Sequence, residues 1–344
     1  MIELTEASGQ PNEGQKKSAE QCKTMNTKNS SSNKGEVILL TESLTKRYGD
    51  FVALDSLDLQ VRKGEVFGYI GPNGAGKTTT FRILCGLLDP TSGRAVIGGK
   101  DVTGNKDMIK QMVGYLPDNF GVYPSLRVWE YLDFFAAAYR IPVKNRKSRI
   151  DECLLIANST QFRDKLMGEL SRGMKQRVGI AKTLLHDPQV LILDEPAATI
   201  DPRARIQMRQ LLRQLADMGK AVLVSSHILP ELGDVCDTVG ILKSGKLVAC
   251  GPVQEIMRTI REKRLMQIRA VSGGEKIAAV LKDAPGDWTP VTEGAEEGKL
   301  RFEAQADDQQ LSESLRLLLA SGVSLAEFAE VPADLEDVFM SLTK

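Results

Sequence analysis

The sequence predicts an α/β fold with a parallel β-sheet at its core. Three short, almost continuously apolar segments, EVFGYI, QVLILDEP and KAVLVSSH, have the composition of strands that are buried on both faces. A helical pattern, KTTTFRILCGLL, follows the first of them, and another, RARIQMRQLLRQLADMG, lies between the second and the third. Buried strands that alternate with helices are typical of a parallel sheet covered on both faces.

Two longer strands are predicted before this core. VILLTESLTKRY and FVALDSLDLQV, which begin at Val37 and Phe51, have strand composition and are joined through a turn at Gly49 and Asp50. We expect them to form an antiparallel β subdomain.

The segment from about 120 to 187 has helical patterns and no strand pattern, so we expect a helical subdomain inserted into the core. One repeat at helical spacing is Met174, Val178, Ala181 and Leu185. In the later helix, which ends near Gly219, the sequence predicts an apolar stripe of Ile206, Leu211, Leu212, Leu215 and Met218.

The two ends of the chain differ from this core. Residues 1–35 are rich in Ser, Asn, Lys, Gln and Thr, which predicts a disordered tail. Residues 255–344 predict a small α+β domain with a ferredoxin-like order of elements, which ends in a helix at DLEDVFMSL.

Composition excludes several classes of protein. Lys plus Arg and Asp plus Glu are both 45, so no net charge favours nucleic acid. Five scattered cysteines without CxxC spacing predict reduced thiols. No apolar run approaches the roughly 18 residues of a membrane span. If the protein acts at a membrane, we expect another polypeptide to hold it there.

The stretch GPNGAGKTT matches the full phosphate-binding loop pattern G-x-x-x-x-G-K-[ST] between a predicted strand and a predicted helix. Its glycines let consecutive N–H groups point inward, and the helix adds its positive end. We expect a P-loop NTPase in which Lys77 bridges the β- and γ-phosphates and Thr78 binds Mg²⁺. The predicted nucleotide-binding residues of the loop are Gly71, Pro72, Asn73, Gly74, Ala75, Gly76, Lys77, Thr78 and Thr79.

Acidic residues and a histidine follow two of the predicted buried strands. Asp194 ends one strand, where a desolvated carboxylate needs a cation, and Mg²⁺ is the natural partner. Glu195 is placed to act as general base or orienting acceptor for an attacking water. His227 ends the other strand, at the sheet edge where α/β folds bind ligands, and we expect it to contact the γ-phosphate and that water. The other histidine, His186, is expected to be structural.

A second anion-binding pattern is present in ELSRGMKQR. Ser171, Arg172 and Gly173 precede a basic helix-forming run, which is the composition of a helix start that can hold an anion or simply be capped by Ser171. The chain therefore contains two predicted phosphate-binding segments, the glycine loop and the start of this helix.

The motifs GPNGAGKTT, LSRGMKQR, LILDEP, IDP and SSH, in this order, resemble those of the ATP-binding subunits of ATP-binding cassette (ABC) transporters. The resemblance covers residues 37–254 and implies a RecA-like ATPase domain over 36–254. It implies that two cassettes face each other head to tail, so that Ser171, Arg172 and Gly173 of one contact the γ-phosphate held by the other.

Other family positions follow from the same resemblance. Tyr48 falls where an aromatic side chain stacks on adenine, and Asp201 falls in the loop that passes signals across the dimer. Three departures stand out. Asp118 replaces a Gln that senses Mg²⁺, Arg172 replaces a Gly, and Ala198–Thr199 replace a Ser–Gly pair. None changes Lys77, Asp194, Glu195 or His227, so we expect active ATP hydrolysis.

The resemblance implies an ATPase subunit of an exporter of the multidrug or polysaccharide type, with ATP and Mg²⁺ as cofactors. Its partners would be a separate transmembrane permease and a second copy or a paralogous cassette, at the cytoplasmic face of the cell membrane, with no nucleic acid. Two alternatives stay open: a soluble cassette ATPase that acts on ribosomes or DNA, and a nucleotide-binding regulator without turnover.

Overall fold

The computed structural model describes residues 35–198, 200–227, 233, 235–256, 264–291 and 299–331. The chain divides into two compact units, with the boundary between Val253 and Gln254. The expected tail, up to residue 34, and the expected last helix at DLEDVFMSL lie outside the described residues.

The described strands of the first unit belong to two sheets. In chain order they are β1 (Val37–Tyr48), β2 (Phe51–Arg62), β3 (Val66–Ile70), β4 (Ser92–Ile97), β5 (Lys100–Asp101), β6 (Val113–Leu116), β7 (Val190–Leu193), β8 (Ala221–Ser226), β9 (Thr238–Lys243) and β10 (Lys246–Pro252). The described helices are α1 (Lys77–Leu84), α2 (Lys106–Met112), α3 (Val128–Ala138), α4 (Val143–Ile156), α5 (Arg172–Leu184) and α6 (Pro202–Asp217).

The antiparallel subdomain is a four-stranded sheet in the order β2-β1-β4-β5. The predicted pair β1 and β2 forms its hairpin, in which Tyr48 and Phe51 are opposite each other across the turn. β4 and β5, which the sequence patterns do not predict, extend this sheet.

The core sheet has the order β10-β9-β3-β8-β7-β6. The strands from β9 to β6 are parallel, as predicted for the core, whereas β10, which the sequence patterns do not indicate, pairs antiparallel with β9. The reason is local: only Ser244 and Gly245, both with positive φ, separate the two strands, and such a tight turn can only join antiparallel neighbours. β3, β7 and β8 therefore end at the same edge of the sheet.

A hydrophobic core packs between the two sheets and under α1. Leu39 and Leu54 of the antiparallel sheet, Phe67 and Ile192 of the core sheet, and Phe81 of α1 are all buried in one cluster. This packing fixes the start of α1, and thus the loop 71–76, against the end of β3.

The inserted segment is helical, as expected, with α3, α4 and α5 as its helices. An isolated antiparallel bridge joins Arg127 and Leu166, which the sequence pattern does not indicate. Val178, Ala181 and Leu185 of the predicted repeat are buried, and Met174 at its start is partly buried.

The predicted apolar stripe of α6 is partly wrong. Leu211, Leu212 and Leu215 are buried, together with Met208, whereas Ile206 is 55% exposed and Met218 is 49% exposed. Met218 is the C-cap residue, beyond the last full turn, and so it does not face the core.

The second unit contains β11 (Arg264–Ser272), α7 (Ile277–Lys282), β12 (Asp287–Val291), β13 (Leu300–Gln305), α8 (Asp308–Ala320) and β14 (Ser324–Val331). Its antiparallel sheet has the order β12-β13-β11-β14. This is the β-α-β-β-α-β succession of ferredoxin-like folds. Its core includes Ile268, Leu281, Phe302 and Leu318. Across the residues that the structure describes, no helix combines the length and apolarity that a membrane crossing requires.

Candidate active site

The loop 71–76 joins β3 to α1 and depends on glycine. Gly74 has φ +82° and Gly76 has φ +110°, backbone conformations that side chains rarely adopt. A Cβ added to Gly76 would also lie 2.7 Å from the carbonyl oxygen of Ala53. The loop can therefore run close to β2, with the free N–H groups at the start of α1 beside it.

Lys77, the first residue of α1, is buried and lies over this loop. Its Nζ donates hydrogen bonds to the carbonyl oxygens of Gly71 and Pro72, the second at 3.3 Å. The same ammonium lies 3.3 Å from Glu195 Oε1. A fixed positive charge thus lies between the loop and the ends of the strands.

Asp194 follows β7 and is held by two hydroxyl groups. Thr78 Oγ1 donates to Asp194 Oδ2 at 3.0 Å, and Ser225 Oγ donates to Asp194 Oδ1 at 2.7 Å. Burial raises the pKa of Asp194 above its ordinary value, and these hydroxyl groups offset part of that rise. Ser225 is a site residue that sequence reasoning missed, although the motif SSH contains it.

Glu195 has an unusual backbone conformation, with φ +51°. Its N–H donates to Ser225 Oγ at 2.8 Å, which holds the residue in place. Oε2 lies 2.9 Å from His227 Nδ1, and the buried Oε1 lies 3.3 Å from Lys77 Nζ with no hydrogen-bond partner among the residues that the structure describes. One carboxylate oxygen therefore contacts the histidine, and the other faces the Lys77 ammonium.

These side chains surround a cavity of about 360 Å³. This size is within the range of small-molecule sites. Its lining residues are Tyr48, Phe51, Ala53, Pro72, Asn73, Gly74, Gly76, Lys77, Thr78, Thr79, Asp118, Asp194 and Glu195. The structure thus brings together most of the predicted nucleotide and metal residues. The predicted residues outside this lining are Gly71, Ala75, His227, Ser171, Arg172, Gly173 and Asp201.

Two aromatic residues stand at the hairpin end of the cavity. Tyr48 ends β1 and Phe51 begins β2, and their side chains are 49% and 64% exposed and line the cavity. The strand pattern alone does not distinguish Phe51 from an ordinary strand residue. Its position opposite Tyr48 across the predicted turn was the available signal.

The second predicted anion site lies at the start of α5. Ser171 is the N-cap, and its side chain accepts a hydrogen bond from the Met174 N–H at 3.4 Å. A Cβ added to Gly173 would lie 3.1 Å from the Ala204 side chain, so this glycine permits close packing of α5 on α6. Asp201 caps α6 by accepting from the Ala204 N–H at 2.9 Å.

His186 takes no part in the cavity. Its Nε2 lies 3.1 Å from the Val113 carbonyl oxygen, and its ring stacks on Tyr139 with centroids 4.2 Å apart. Burial lowers its pKa. Its contacts are those of a packing residue.

Comparison with known proteins identifies the family. Residues 54–198 match the family model described as ABC transporter. The chain is 35% identical over 306 residues to the bacitracin transport ATP-binding protein BcrA of Bacillus licheniformis, which covers 89% of this chain and 97% of BcrA. The chain belongs to the ATP-binding proteins of ABC transporters.

Two further comparisons agree with this family. The probable multidrug ABC transporter ATP-binding protein YbhF of Escherichia coli is 36% identical over 222 residues, which cover 64% of this chain and 38% of YbhF. The chain therefore spans well under half of the length of YbhF. The structure of cbiO1 from Clostridium perfringens, part of the ABC transporter complex cbiONQ, has a TM-score of 0.60 at 30% identity, and covers 65% of this chain and 91% of cbiO1.

The family confirms the predicted P-loop ATPase core with its antiparallel β subdomain. ABC ATP-binding proteins are ATPases, and the cavity beside the glycine loop is the candidate nucleotide site. The named relatives are transporter proteins, which does not favour the alternative of a ribosome or DNA factor.

The residues present suit Mg²⁺. Thr78 supplies a hydroxyl and Asp194 a carboxylate, and Mg²⁺ is usually bound by one or two such oxygen ligands together with phosphates and water. Asp118 lines the same cavity. Among the described residues, no group of three or more His, Cys, Asp and Glu side chains is arranged to hold a metal ion.

Proposed function

We propose that this ABC protein hydrolyses Mg²⁺-bound ATP in a head-to-tail dimer and thereby drives export through a separate membrane permease. The observation that carries the proposal is the convergence of Lys77, Thr78, Asp194 and Glu195 on one cavity beside the glycine loop. A base, a cation and metal ligands in one site are the groups that phosphoryl transfer to water requires.

Each side chain has a distinct role in this reaction. Lys77 neutralises the β- and γ-phosphates, and Thr78 and Asp194 would hold Mg²⁺, which supplies charge neutralisation for the phosphate oxygens. Glu195 is the general base that accepts a proton from the attacking water, and its Oε1 lies 3.3 Å from Lys77 Nζ, which would itself turn to the phosphates. His227 keeps the carboxylate in position through its contact with Oε2 and would reach the γ-phosphate with its other ring nitrogen.

The dimer follows from the second anion site. Ser171 and Gly173 lie at a helix start outside the lining of the chain's own nucleotide cavity. A helix N-terminus favours a phosphate, so these residues are suited to the nucleotide held by a partner cassette. Asp201 caps the neighbouring helix and would communicate across that interface. The glycine loop and the start of α5 then belong to different nucleotide sites: the loop binds the nucleotide of its own chain, and the helix start binds that of the partner.

The transport role is inferred from relatives. BcrA is named for bacitracin transport and YbhF as a probable multidrug transporter protein. By analogy, the partner is a transmembrane permease, and the chain works on the cytoplasmic face of the membrane, where ATP is present. The partly exposed aromatic face of α3, including Trp129, Phe134 and Phe135, suits contact with a permease.

Two measurements test the function. Purified chain should hydrolyse ATP only with Mg²⁺, and Glu195→Gln should lose at least ~100-fold in turnover, a typical contribution of a general base. An affinity-tagged chain expressed in its native cells should co-purify with a polytopic membrane protein. Full activity of Glu195→Gln, or recovery of the tagged chain with ribosomes or DNA instead of a membrane protein, would contradict the proposal.

A further inference from the structure

Arg172 and Asp118 form an ion pair that joins α5 to the wall of the nucleotide cavity. Arg172 Nη2 lies 3.1 Å from Asp118 Oδ1. Asp118 lies on the loop after β6 and lines the cavity, whereas Arg172 is the first residue of α5 and lies outside the lining. The pair therefore connects the nucleotide site directly with the helix start that is proposed to meet the partner's nucleotide.

Each carboxylate of the cavity wall has a different partner. Asp194 receives hydroxyl groups. Glu195 faces Lys77 and His227. Asp118 is paired with Arg172. A triphosphate that enters the cavity meets three carboxylates, so the charge of Asp118 has to be balanced, and Arg172 supplies the positive charge that balances it.

We propose that Arg172 is a positioning residue, and that Arg172 and the nucleotide-bound Mg²⁺ are alternative partners of Asp118. This inference rests on the proposed nucleotide site. The carboxylate of Asp118 is a hard oxygen ligand on the same cavity wall as Asp194, so it suits Mg²⁺ as well as a guanidinium.

The exchange between partners is feasible because the ion pair is weak. The side chains of Arg172 and Asp118 are 46% and 43% exposed. Exposed ion pairs are screened by water and stabilise little. A divalent cation beside the cavity can therefore displace the guanidinium, which releases the start of α5 from the loop when Mg²⁺ and nucleotide bind.

Equilibrium binding of a non-hydrolysable ATP analogue tests this competition without reliance on turnover. The wild type, Arg172→Ala, Asp118→Asn and the double variant are compared with Mg²⁺ and with EDTA, at concentrations where the chain is monomeric. With Mg²⁺, Arg172→Ala should bind about 2- to 5-fold more tightly, because Asp118 loses its competing partner. With EDTA it should bind more weakly, because the Asp118 charge is then unbalanced.

Both effects should disappear in the double variant, since neither exists without the carboxylate. Lys175→Ala is the matched control, because it removes one positive charge from the same helix at a residue not paired with Asp118. The effect of Lys175→Ala on affinity for the ATP analogue should have the same direction with Mg²⁺ and with EDTA. It should also be the same with Asp or Asn at position 118.

Two results would overturn the proposal. One is unchanged affinity of Arg172→Ala under both conditions. The other is a loss of affinity with Mg²⁺ that is the same with Asp or Asn at position 118, since Arg172 would then act on the nucleotide itself. Lys77→Ala in the same series distinguishes a failure of the proposed nucleotide site from a failure of the Arg172–Asp118 proposal alone. If it bound with full affinity, the proposed nucleotide site would be wrong, and the Arg172–Asp118 proposal would fail with it.

Discussion

His227 Nδ1 lies 2.9 Å from Glu195 Oε2, which links the end of β8 to the end of β7. The contact holds a carboxylate whose other oxygen, Oε1, lies 3.3 Å from Lys77 Nζ. His227→Ala should therefore lower kcat by ~10- to 100-fold and weaken ATP binding by a much smaller factor, because the base loses its orientation while the phosphate cradle loses one contact only. His227→Gln, which keeps a side-chain N–H donor, should retain more activity. Equal loss of kcat and of ATP affinity would contradict this positioning role.

Lys77 is the cation that faces both the glycine loop and Glu195. Lys77→Ala should weaken ATP binding by at least ~100-fold, because a buried charge contact to phosphate is lost. Isothermal titration measures the affinity, and a cooperative unfolding transition confirms that the variant is folded. Lys77→Arg is a useful comparison, since a planar guanidinium does not fit a point-charge position. Wild-type affinity in Lys77→Ala would contradict the role.

Gly76 is expected to tolerate no side chain. Gly76→Ala combines a φ of +110° with a Cβ 2.7 Å from the Ala53 carbonyl oxygen, so it should lower the free energy of unfolding by ~1–3 kcal/mol or more and abolish ATP binding. Gly74→Ala is the matched control, because its φ is also positive but nothing lies within 4 Å of the added Cβ. Urea unfolding should show a smaller loss for Gly74→Ala. Equal losses would mean that close packing on β2 is not what requires glycine.

Lys182 lies between two aromatic rings, with its Nζ 5.2 Å from the centroid of Phe120 and 5.1 Å from that of Phe135. Burial lowers its pKa from 10.5 to about 8. Between these two values the unfolded chain binds more protons than the folded chain, so this residue's contribution to stability rises with pH and is lost as the pH falls through about 8. Relative to Lys182→Met, the wild type should gain stability from pH 7.5 to 10. A pH-independent difference in the free energy of unfolding would contradict the shift.

The sequence was most informative where chemistry depends on neighbours in the chain. The glycine loop, Lys77 and Thr78 lie within one short segment, and Asp194, Glu195 and His227 each follow a buried strand, so the parallel sheet brings them to one edge. The first strands could also be predicted, because their apolar patterns are long and the turn between them is marked by glycine.

The missed features depend on contacts that no local pattern contains. Arg172 and Asp118 are 54 positions apart, and nothing in either segment indicates their pairing. β9 includes Gly240, which reads as a break in a strand, yet its missing side chain makes room for the Phe67 ring, 3.1 Å from an added Cβ. Ile206 matches the helical spacing of the buried residues but is exposed. Spacing identifies one face of a helix, but not how much of that face a neighbouring element covers.

The state of assembly of Glu195→Gln with Mg²⁺ and ATP tests the central claim most directly. Glutamine keeps the shape of the site but cannot take the proton from water, so ATP should remain bound and hold two copies together. Sedimentation should show a dimer with Mg²⁺ and ATP and a monomer with ADP, and Ser171→Arg in the same background should prevent the dimer. A Glu195→Gln chain that binds ATP at saturation and still sediments as a monomer would contradict the account.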